Sequence, residues 1–231
     1  MTCEGILLLS FYEGLKQNGC PICRLLDNFE KKTIDNILDE LVLDPSIRQK
    51  FIESLGLCKY HAWLLVDIAE ERGDRLGAAI IYESVLKEYI DNFEKILNKE
   101  EKIECFICEY TDKFQEYYID LYTDCFKEGK IKEYAQSSSI LCHRHLRMII
   151  EKLDKENIKK LTDIQKLKLS KLYSNITKFI EKHDYKNTEP ITDEEKKSIE
   201  TAVEILKGYK SYYSTTLYFQ KKPKRYKLFL L

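Results

Sequence analysis

Two copies of one four-residue pattern constrain the fold of this chain more than any other feature of its sequence. Each copy has two cysteines separated by two residues and, further along, a cysteine and a histidine with the same separation. The first copy, C-x2-C-x34-C-x2-H, and the second, C-x2-C-x33-C-x2-H, differ in length by one residue. In order, their members are Cys20, Cys23, Cys58 and His61, then Cys105, Cys108, Cys142 and His145.

The repetition extends beyond these eight residues. An offset of 85 aligns Phe29 with Phe114, and an offset of 84 aligns Leu57 with Leu141. One residue is therefore lost between these two points, close to Gly129, where a loop can absorb the difference. The pattern indicates an internal duplication.

The composition predicts an all-α protein. Only 8 glycines and 4 prolines occur in 231 residues, while 44% are hydrophobic and 33% charged, which is typical of a globular chain with few helix breakers. No alternating run is long enough to predict a strand. Helices are predicted from Pro21 to about Glu40, Pro45 to near Gly56, Cys58 to about Glu71, after Asp74, from about Asn157 to His183, and from Thr192.

The helix breaks divide the chain into three segments. Residues 1–100 are predicted to form the first metal-binding helical repeat with an N-terminal helix, and residues 101–186 the second repeat. Residues 187–231 are predicted to form a C-terminal helix and a basic tail, within one compact domain overall. Thr192 and Glu195 have the spacing of a capping box, which predicts where that helix begins.

The residue types and their spacing predict two metal sites. Two short pairs, each at the start of a helix, can supply three sulfurs and one nitrogen in the tetrahedral arrangement that zinc prefers, at about 2.3 Å to sulfur and about 2.0–2.1 Å to nitrogen. Disulfides would leave both histidines unexplained, and a thioredoxin-like dithiol belongs in a βαβ setting. Structural zinc, two ions per chain, is therefore the first hypothesis. Iron–sulfur clusters of a redox protein, bound by the same ligands, are the alternative.

The sequence favours a scaffold or interaction protein over an enzyme. Four protein ligands leave no open position, whereas catalytic zinc usually keeps one for water. No di-iron Glu-x-x-His pair, phosphate-binding glycine loop or nucleophile elbow occurs. We expect the chain to act by binding a protein partner of unknown identity. The cytoplasm is the expected compartment, because no signal peptide or run of roughly 20 apolar residues is present.

Two ways of combining the short motifs remain open. Proximity in the sequence favours a site within each repeat, in which Cys20 and Cys23 join Cys58 and His61. In the alternative, each C-x-x-C pair joins the C-x-x-H pair of the other repeat. The residues between the pairs are expected to run out along one helix and return along a shorter one. Tyr60 and Trp63, close to His61, are expected to pack around the site.

A short basic run near the C-terminus supports a third hypothesis, contact with nucleic acid or anionic lipid. A solvated tail is favoured instead because the run is short. The formal net charge is −1; six thiolates subtract six and two divalent ions add four, which gives −3. Such a chain has no general attraction for phosphate backbones, so a nucleic-acid role would be confined to the tail. The run consists of Lys221, Lys222, Lys224, Arg225 and Lys227.

The motifs resemble those of a prokaryotic family known only as a domain of unknown function. Its members combine a G-C-P-I-C-like motif, here Gly19 to Cys23, with a G-L-C-x-x-H-like motif, here Gly56 to His61, and carry a second set of both pairs. The resemblance covers most of residues 15–150 and implies a helical metal-binding protein without implying an activity. The second half departs from the pattern at Glu104 and Phe106, which flank Cys105, so equal affinity of the two sites does not follow.

Overall fold

The computed structural model describes residues 5–98 and 105–210, and only the backbone of residues 5–7. Within these ranges the chain forms eleven α-helices and no β-strand, which confirms the predicted all-α class. The helices are α1 (Gly5–Leu15), α2 (Pro21–Asn36), α3 (Pro45–Glu53), α4 (Lys59–Glu71), α5 (Leu76–Asp91), α6 (Phe93–Leu97), α7 (Phe106–Cys125), α8 (Ile131–Gln136), α9 (His143–Ile150), α10 (Lys155–Glu181) and α11 (Asp193–Lys207).

The helices of the two repeats correspond in order, as the duplication predicts. At the sequence offsets that relate the repeats, α2 corresponds to α7, α3 to α8, α4 to α9 and α5 to α10. A π-helical turn, Ile37–Leu41, extends α2. The segment after α7, Phe126–Lys130, instead contains a sharp turn at Gly129, whose φ of 89° suits glycine. The residue lost between the repeats is therefore absorbed close to this turn.

The two repeats meet through α2 and α7, which run antiparallel. The N-terminal half of α2 shares a hydrophobic core with the C-terminal half of α7, and the C-terminal half of α2 shares a second core with the N-terminal end of α7. Midway, Phe29 stacks on Phe114 with ring centroids 3.9 Å apart. Because these two residues are equivalent in the repeats, an approximate two-fold axis passes between their rings.

Both hydrophobic cores contain residues of both repeats. The first core surrounds Phe11, Tyr122 and Phe126, and the second surrounds Phe51 and Phe106. Neither repeat therefore buries its apolar face by itself. This dependence is expected when a duplicated unit must pack against its own copy to complete a core.

Apolar residues recur every seven positions along α5 and into α6, but this row does not coincide with the buried face of α5. The row formed by Ala79, Leu86 and Phe93 is exposed, although such a row usually faces a partner helix. The buried residues of α5 are Ala78, Ile81 and Val85. The predicted single helix is also interrupted at Asn92, which separates α5 from α6.

The last helix begins as predicted. The Thr192 hydroxyl accepts the Glu195 N–H, and the Glu195 carboxylate accepts the Thr192 N–H, which confirms the capping box. The basic run at residues 221–227 lies outside the described residues, and the boundaries at residues 100 and 186 stay predictions. No helix in residues 5–98 and 105–210 is long and apolar enough to cross a bilayer.

Candidate metal centres

Each of the four short motifs begins a helix, as predicted. The first member of every pair is the N-cap residue, and the second is the third residue of the helix that follows. These positions face the same point, as the two partners of a capping box do. The amides and the positive end of the helix dipole there favour thiolates. The N-cap residues of α2, α4, α7 and α9 are Cys20, Cys58, Cys105 and Cys142.

The structure gathers the eight residues into two groups that cross the repeats. In each group the four ligand atoms lie within 4.8 Å of one another. Pairing within each repeat, which proximity in the sequence favoured, is therefore wrong, and the alternative pairing is found. Centre A comprises Cys20, Cys23, Cys142 and His145, and centre B comprises Cys58, His61, Cys105 and Cys108.

Helix lengths explain why the pairing crosses. From Cys20 the chain runs out through the 16 residues of α2 and the 5 of the π-helical turn, which is about 30 Å at about 1.5 Å per residue. It returns through only the 9 residues of α3, or about 14 Å. Cys58 therefore stays near the far end of α2. The antiparallel α7 begins at that same end and brings Cys105 to it.

Backbone pairing joins the two loops that lead into centre A. The Ile140 N–H donates to the Gly19 carbonyl at 2.8 Å, and Gly19 forms an isolated parallel bridge with Ser139. Gly19 has a φ of 85°, and a Cβ there would collide with the Glu204 carboxylate. The positive φ therefore favours glycine at this position of the G-C-P-I-C motif, and a larger residue would also displace the Glu204 carboxylate.

The interatomic distances fit one metal ion in each centre. His145 Nδ1 lies 3.4 Å from each of the three sulfurs of centre A, two of which are 3.8 Å apart. His61 Nδ1 lies 3.3–3.4 Å from each sulfur of centre B, two of which are 3.5 Å apart. A tetrahedral zinc ion separates its ligands by about 3.6–3.8 Å, as calculated from its usual bond lengths. Both groups of side chains could therefore hold a metal ion.

The two centres differ slightly in exposure. All four side chains of centre A are buried, whereas Cys108 of centre B is partly exposed. None of the six cysteines of the two centres forms a disulfide bond. Each centre thus offers three sulfurs and one ring nitrogen in a site that is largely closed to water.

In centre A, burial and mutual hydrogen bonds set the protonation of the thiols. Burial raises the pKa of Cys20, and the hydrogen bond with Cys142 raises the pKa of Cys23. Hydrogen bonds from these two thiols hold the pKa of Cys142 well below its usual range. Without a cation, centre A therefore favours one thiolate and two protonated neighbours.

In centre B, burial and mutual hydrogen bonds also shift the pKa values, here those of a cysteine and of the histidine. Hydrogen bonds with Cys108 and Cys58 lower the pKa of Cys105. Burial by itself would lower the pKa of His61, but hydrogen bonds with the Cys105 and Cys58 thiols outweigh it and raise the pKa to about 11. The ring therefore keeps a proton that a metal ion would have to displace from Nδ1.

The second nitrogen of each histidine faces a buried polar side chain that the sequence analysis did not identify. Gln115 Oε1 lies 3.2 Å from His145 Nε2, and Glu30 Oε1 lies 3.6 Å from His61 Nε2. Burial raises the pKa of Glu30. A signal was present in the sequence, since Glu30 interrupts an apolar helical stripe and aligns with Gln115 at the offset of 85. The stripe consists of Leu26, Ile34 and Ile37.

The segment before Cys142 is held by a hydrogen-bonded clamp. The Leu141 N–H donates to the Tyr134 hydroxyl at 3.0 Å, and this hydroxyl donates to Gln165 Oε1 at 2.5 Å. The Gln165 amide closes the loop by donating to the Leu141 carbonyl at 2.7 Å. Helices α8 and α10 thereby position the start of α9.

Helix α11 supports centre A from a second side. The buried Glu204 carboxylate accepts the Cys20 N–H at 2.9 Å and forms an ion pair of 2.8 Å with Arg24. The Arg24 guanidinium lies 3.8 Å from the centroid of the Tyr209 ring.

Around centre B the two aromatic neighbours of His61 differ. The expected packing of Trp63 around the site is wrong, because 63% of this residue is exposed. The Tyr60 ring does pack there, with its centroid 5.1 Å from that of the His61 ring.

The fold and its two centres define a duplicated, all-helical protein in which cysteine and histidine side chains could hold metal ions. The chain belongs to a family of unknown function, DUF6062, whose profile matches residues 6–104 and again residues 97–212. The resemblance to a family of unknown function is thereby confirmed.

One relative is described as an uncharacterized 23.9 kDa protein in the xynA 3' region of Caldicellulosiruptor sp. (strain Rt8B.4). It is 29% identical to this chain over 204 residues, which span 85% of this chain and 98% of the relative. No solved structure matches the chain. These similarities establish the family and leave the activity to be argued from the two centres.

Proposed function

We propose that the protein binds two structural zinc ions, one in each centre, and that they join the two repeats into a single helical scaffold. The crossed pairing carries this proposal, because every ion would have ligands from both repeats. A structural zinc site contributes on the order of 10 kcal/mol to folding. The ions would therefore stabilise the interface between repeats that do not complete a core alone.

The donor set supports zinc over an iron–sulfur cluster. A cluster places several irons and sulfides between its protein ligands, and so holds those ligands farther apart than one ion does. Here each histidine Nδ1 lies 3.3–3.4 Å from the three sulfurs of its centre, and the four ligand atoms of a centre all lie within 4.8 Å of one another, which suits a single ion. With four protein ligands per ion, no position is left for substrate or water, which supports a structural role.

We further propose that this scaffold binds another protein, and a row of exposed apolar side chains supports this. It runs along α5 and α6, and three of its four members are more than half exposed. Exposed apolar surface of this kind often marks contact with another protein. The row consists of Leu86, Ile90, Phe93 and Leu97.

Elemental analysis and a visible spectrum of anaerobically purified protein test the choice of metal. We expect colourless protein with about two zinc ions per chain. Brown protein that contains iron and labile sulfide would support the cluster, and red protein with iron alone would support a single iron ion. Protein with no tightly bound metal would contradict the proposal.

Two histidine variants provide a matched comparison. His145→Ala removes a ligand of centre A and should lower the zinc content by about one ion per chain. His143→Ala changes an exposed residue two positions away and should retain both ions. Equal losses in the two variants would contradict the assignment of His145.

A further inference from the structure

Two buried side chains occupy equivalent positions behind the two candidate ligand histidines. Glu30 in α2 and Gln115 in α7 are related by the same offset of 85 that relates Phe29 to Phe114. Each lies beside Nε2 of its histidine, while Nδ1 faces the sulfurs. Glu30 is fully buried and Gln115 is nearly so. The duplication has therefore preserved a polar acceptor at the same place in both halves.

Burial makes the Glu30 carboxylate costly unless it serves as an acceptor. Neither of its oxygens accepts a hydrogen bond of ordinary length from the described residues. A neutral imidazole that binds a cation through Nδ1 carries its hydrogen on Nε2. His61 then presents a donor towards Glu30, and His145 presents one towards Gln115.

We propose that Glu30 and Gln115 are positioning residues that hold His61 and His145 as the Nε2–H tautomer with Nδ1 towards the metal. We further infer that the carboxylate gives centre B the stronger imidazole donor. This inference rests on the proposed zinc binding and adds that the two centres are unequal.

The difference between the acceptors has a physical consequence. Hydrogen bonds to an ionised acceptor are roughly twice as strong as those between neutral groups. A carboxylate behind a ligand histidine also raises the basicity of the ring, and loss of such a partner typically lowers metal affinity about 10–100-fold. Gln115 orients His145 through its amide oxygen but adds no charge. Centre B should therefore hold its ion through a more strongly donating ring than centre A.

Reciprocal exchange of the two residues tests this inference. The variants are Glu30→Gln, Gln115→Glu and Glu30→Leu, the last of which removes the acceptor and keeps an apolar volume. Glu116→Gln, an exposed change beside Gln115, is the matched control. The chain has 4 histidines, so ¹⁵N-histidine NMR of the zinc-loaded protein can resolve each ring. Competition with a chelator measures the zinc affinity of each variant.

We expect the His61 Nε2–H proton at lower field than that of His145, because its acceptor is a carboxylate. Glu30→Gln should move the His61 signal towards that of His145, and Gln115→Glu should move the His145 signal to lower field. Glu30→Leu should weaken zinc binding at centre B by about 10–100-fold and leave centre A unchanged. Glu116→Gln should alter neither signal and neither affinity.

Other results would overturn the inference. Coordination through Nε2, or an unchanged His61 signal in Glu30→Gln, would show that Glu30 does not act on this ring. The Gln variant keeps the shape of the side chain, so it decides the question even where Glu30→Leu fails to fold. Wild-type protein that takes up no zinc would instead refute the proposed function. Zinc-loaded protein with identical wild-type and variant signals would refute only this inference.

Discussion

At the scale of single residues, the chemistry of both centres depends on the position of each ligand in its helix. All eight candidate ligands are either the N-cap or the third residue of a helix, where backbone amides and the helix dipole favour negative charge. Of the four N-cap cysteines, Cys58 also caps its helix directly, because its Sγ accepts the His61 N–H at 3.5 Å. Three thiolates nevertheless repel one another. A cation is therefore required before all three can be deprotonated together.

Pairs of cysteine substitutions test the crossed pairing. Cys23→Ser and Cys142→Ser remove ligands of the same centre, so each variant and their double variant should lose about one zinc ion per chain. Cys23→Ser combined with Cys58→Ser should lose both ions, because it damages both centres. Zinc analysis after gel filtration gives the answer. If the pairs combined within repeats, Cys23→Ser with Cys58→Ser would lose one ion, and Cys23→Ser with Cys142→Ser would lose both.

Metal uptake should release protons. The pKa values of Cys20 and Cys23 are raised, and that of His61 is raised to about 11, so these groups hold protons near neutral pH in the metal-free protein. Ligation removes the protons, and the apparent affinity for zinc therefore increases as the pH rises. Addition of zinc to metal-free protein in weak buffer should acidify the solution. A titration without proton release would argue against thiolate ligation.

At the scale of helices, centre A is positioned by contacts with segments that contribute none of its ligands. The clamp formed by Tyr134 and Gln165 satisfies both backbone groups of Leu141, the residue before the N-cap of α9. Helix α11 adds Glu204, which accepts the N–H of the N-cap residue of α2. The orientation of these two helix starts is therefore fixed by α8, α10 and α11 in addition to the candidate ligands.

Removal of one hydroxyl tests the clamp. Tyr134→Phe leaves the Leu141 N–H and Gln165 Oε1 without their partner in a buried site, so we expect the free energy of unfolding to fall by about 1–3 kcal/mol. Urea denaturation of the metal-loaded protein measures this loss. Tyr173→Phe is the matched control, because Tyr173 is 73% exposed on α10 and should have little effect. Similar losses in the two variants would show that the clamp contributes no stability.

At the scale of the whole molecule, the crossed centres make the two repeats interdependent. Each repeat contributes two candidate ligands to each centre, and each hydrophobic core contains residues from both repeats. The stacked Phe29 and Phe114 lie at the approximate two-fold axis of this arrangement. The duplicated chain thus resembles a dimer whose two subunits have been joined covalently.

A split chain tests this interdependence. A fragment of residues 1–98 contains one C-x-x-C pair and one C-x-x-H pair that belong to different centres. It should therefore bind zinc tightly only as a dimer or after association with a fragment of residues 105–231. Co-expressed fragments should copurify with about two zinc ions per pair and dissociate when a chelator is added. Light scattering gives the association state of the fragments, and metal analysis gives their zinc content. A monomeric fragment 1–98 with tightly bound zinc would contradict the predicted interdependence.

Local signals explain what could be predicted before the structure was known. Cysteine and histidine spacing marked the eight candidate ligands, and breakers and caps such as Pro21 and Thr192 marked where helices begin. These signals act over three or four residues, within one turn of a helix. The recurrence of the same spacing in both halves of the chain was sufficient to predict the duplication. The all-α class followed from the scarcity of helix breakers and the absence of alternating runs.

Only the tertiary structure decided which pairs share a centre and which side chains surround them. The amino-acid sequence by itself determined the candidate ligands, the helix starts and the duplication, because each of these depends on neighbouring residues or on a simple repeat. The crossed pairing depends instead on the antiparallel packing of α2 and α7 and on the short return path through α3. The positions of Glu30 behind His61 and of Trp63 in solvent depend on the same packing. Contacts between residues distant in the chain decide these features, and no local pattern specifies them.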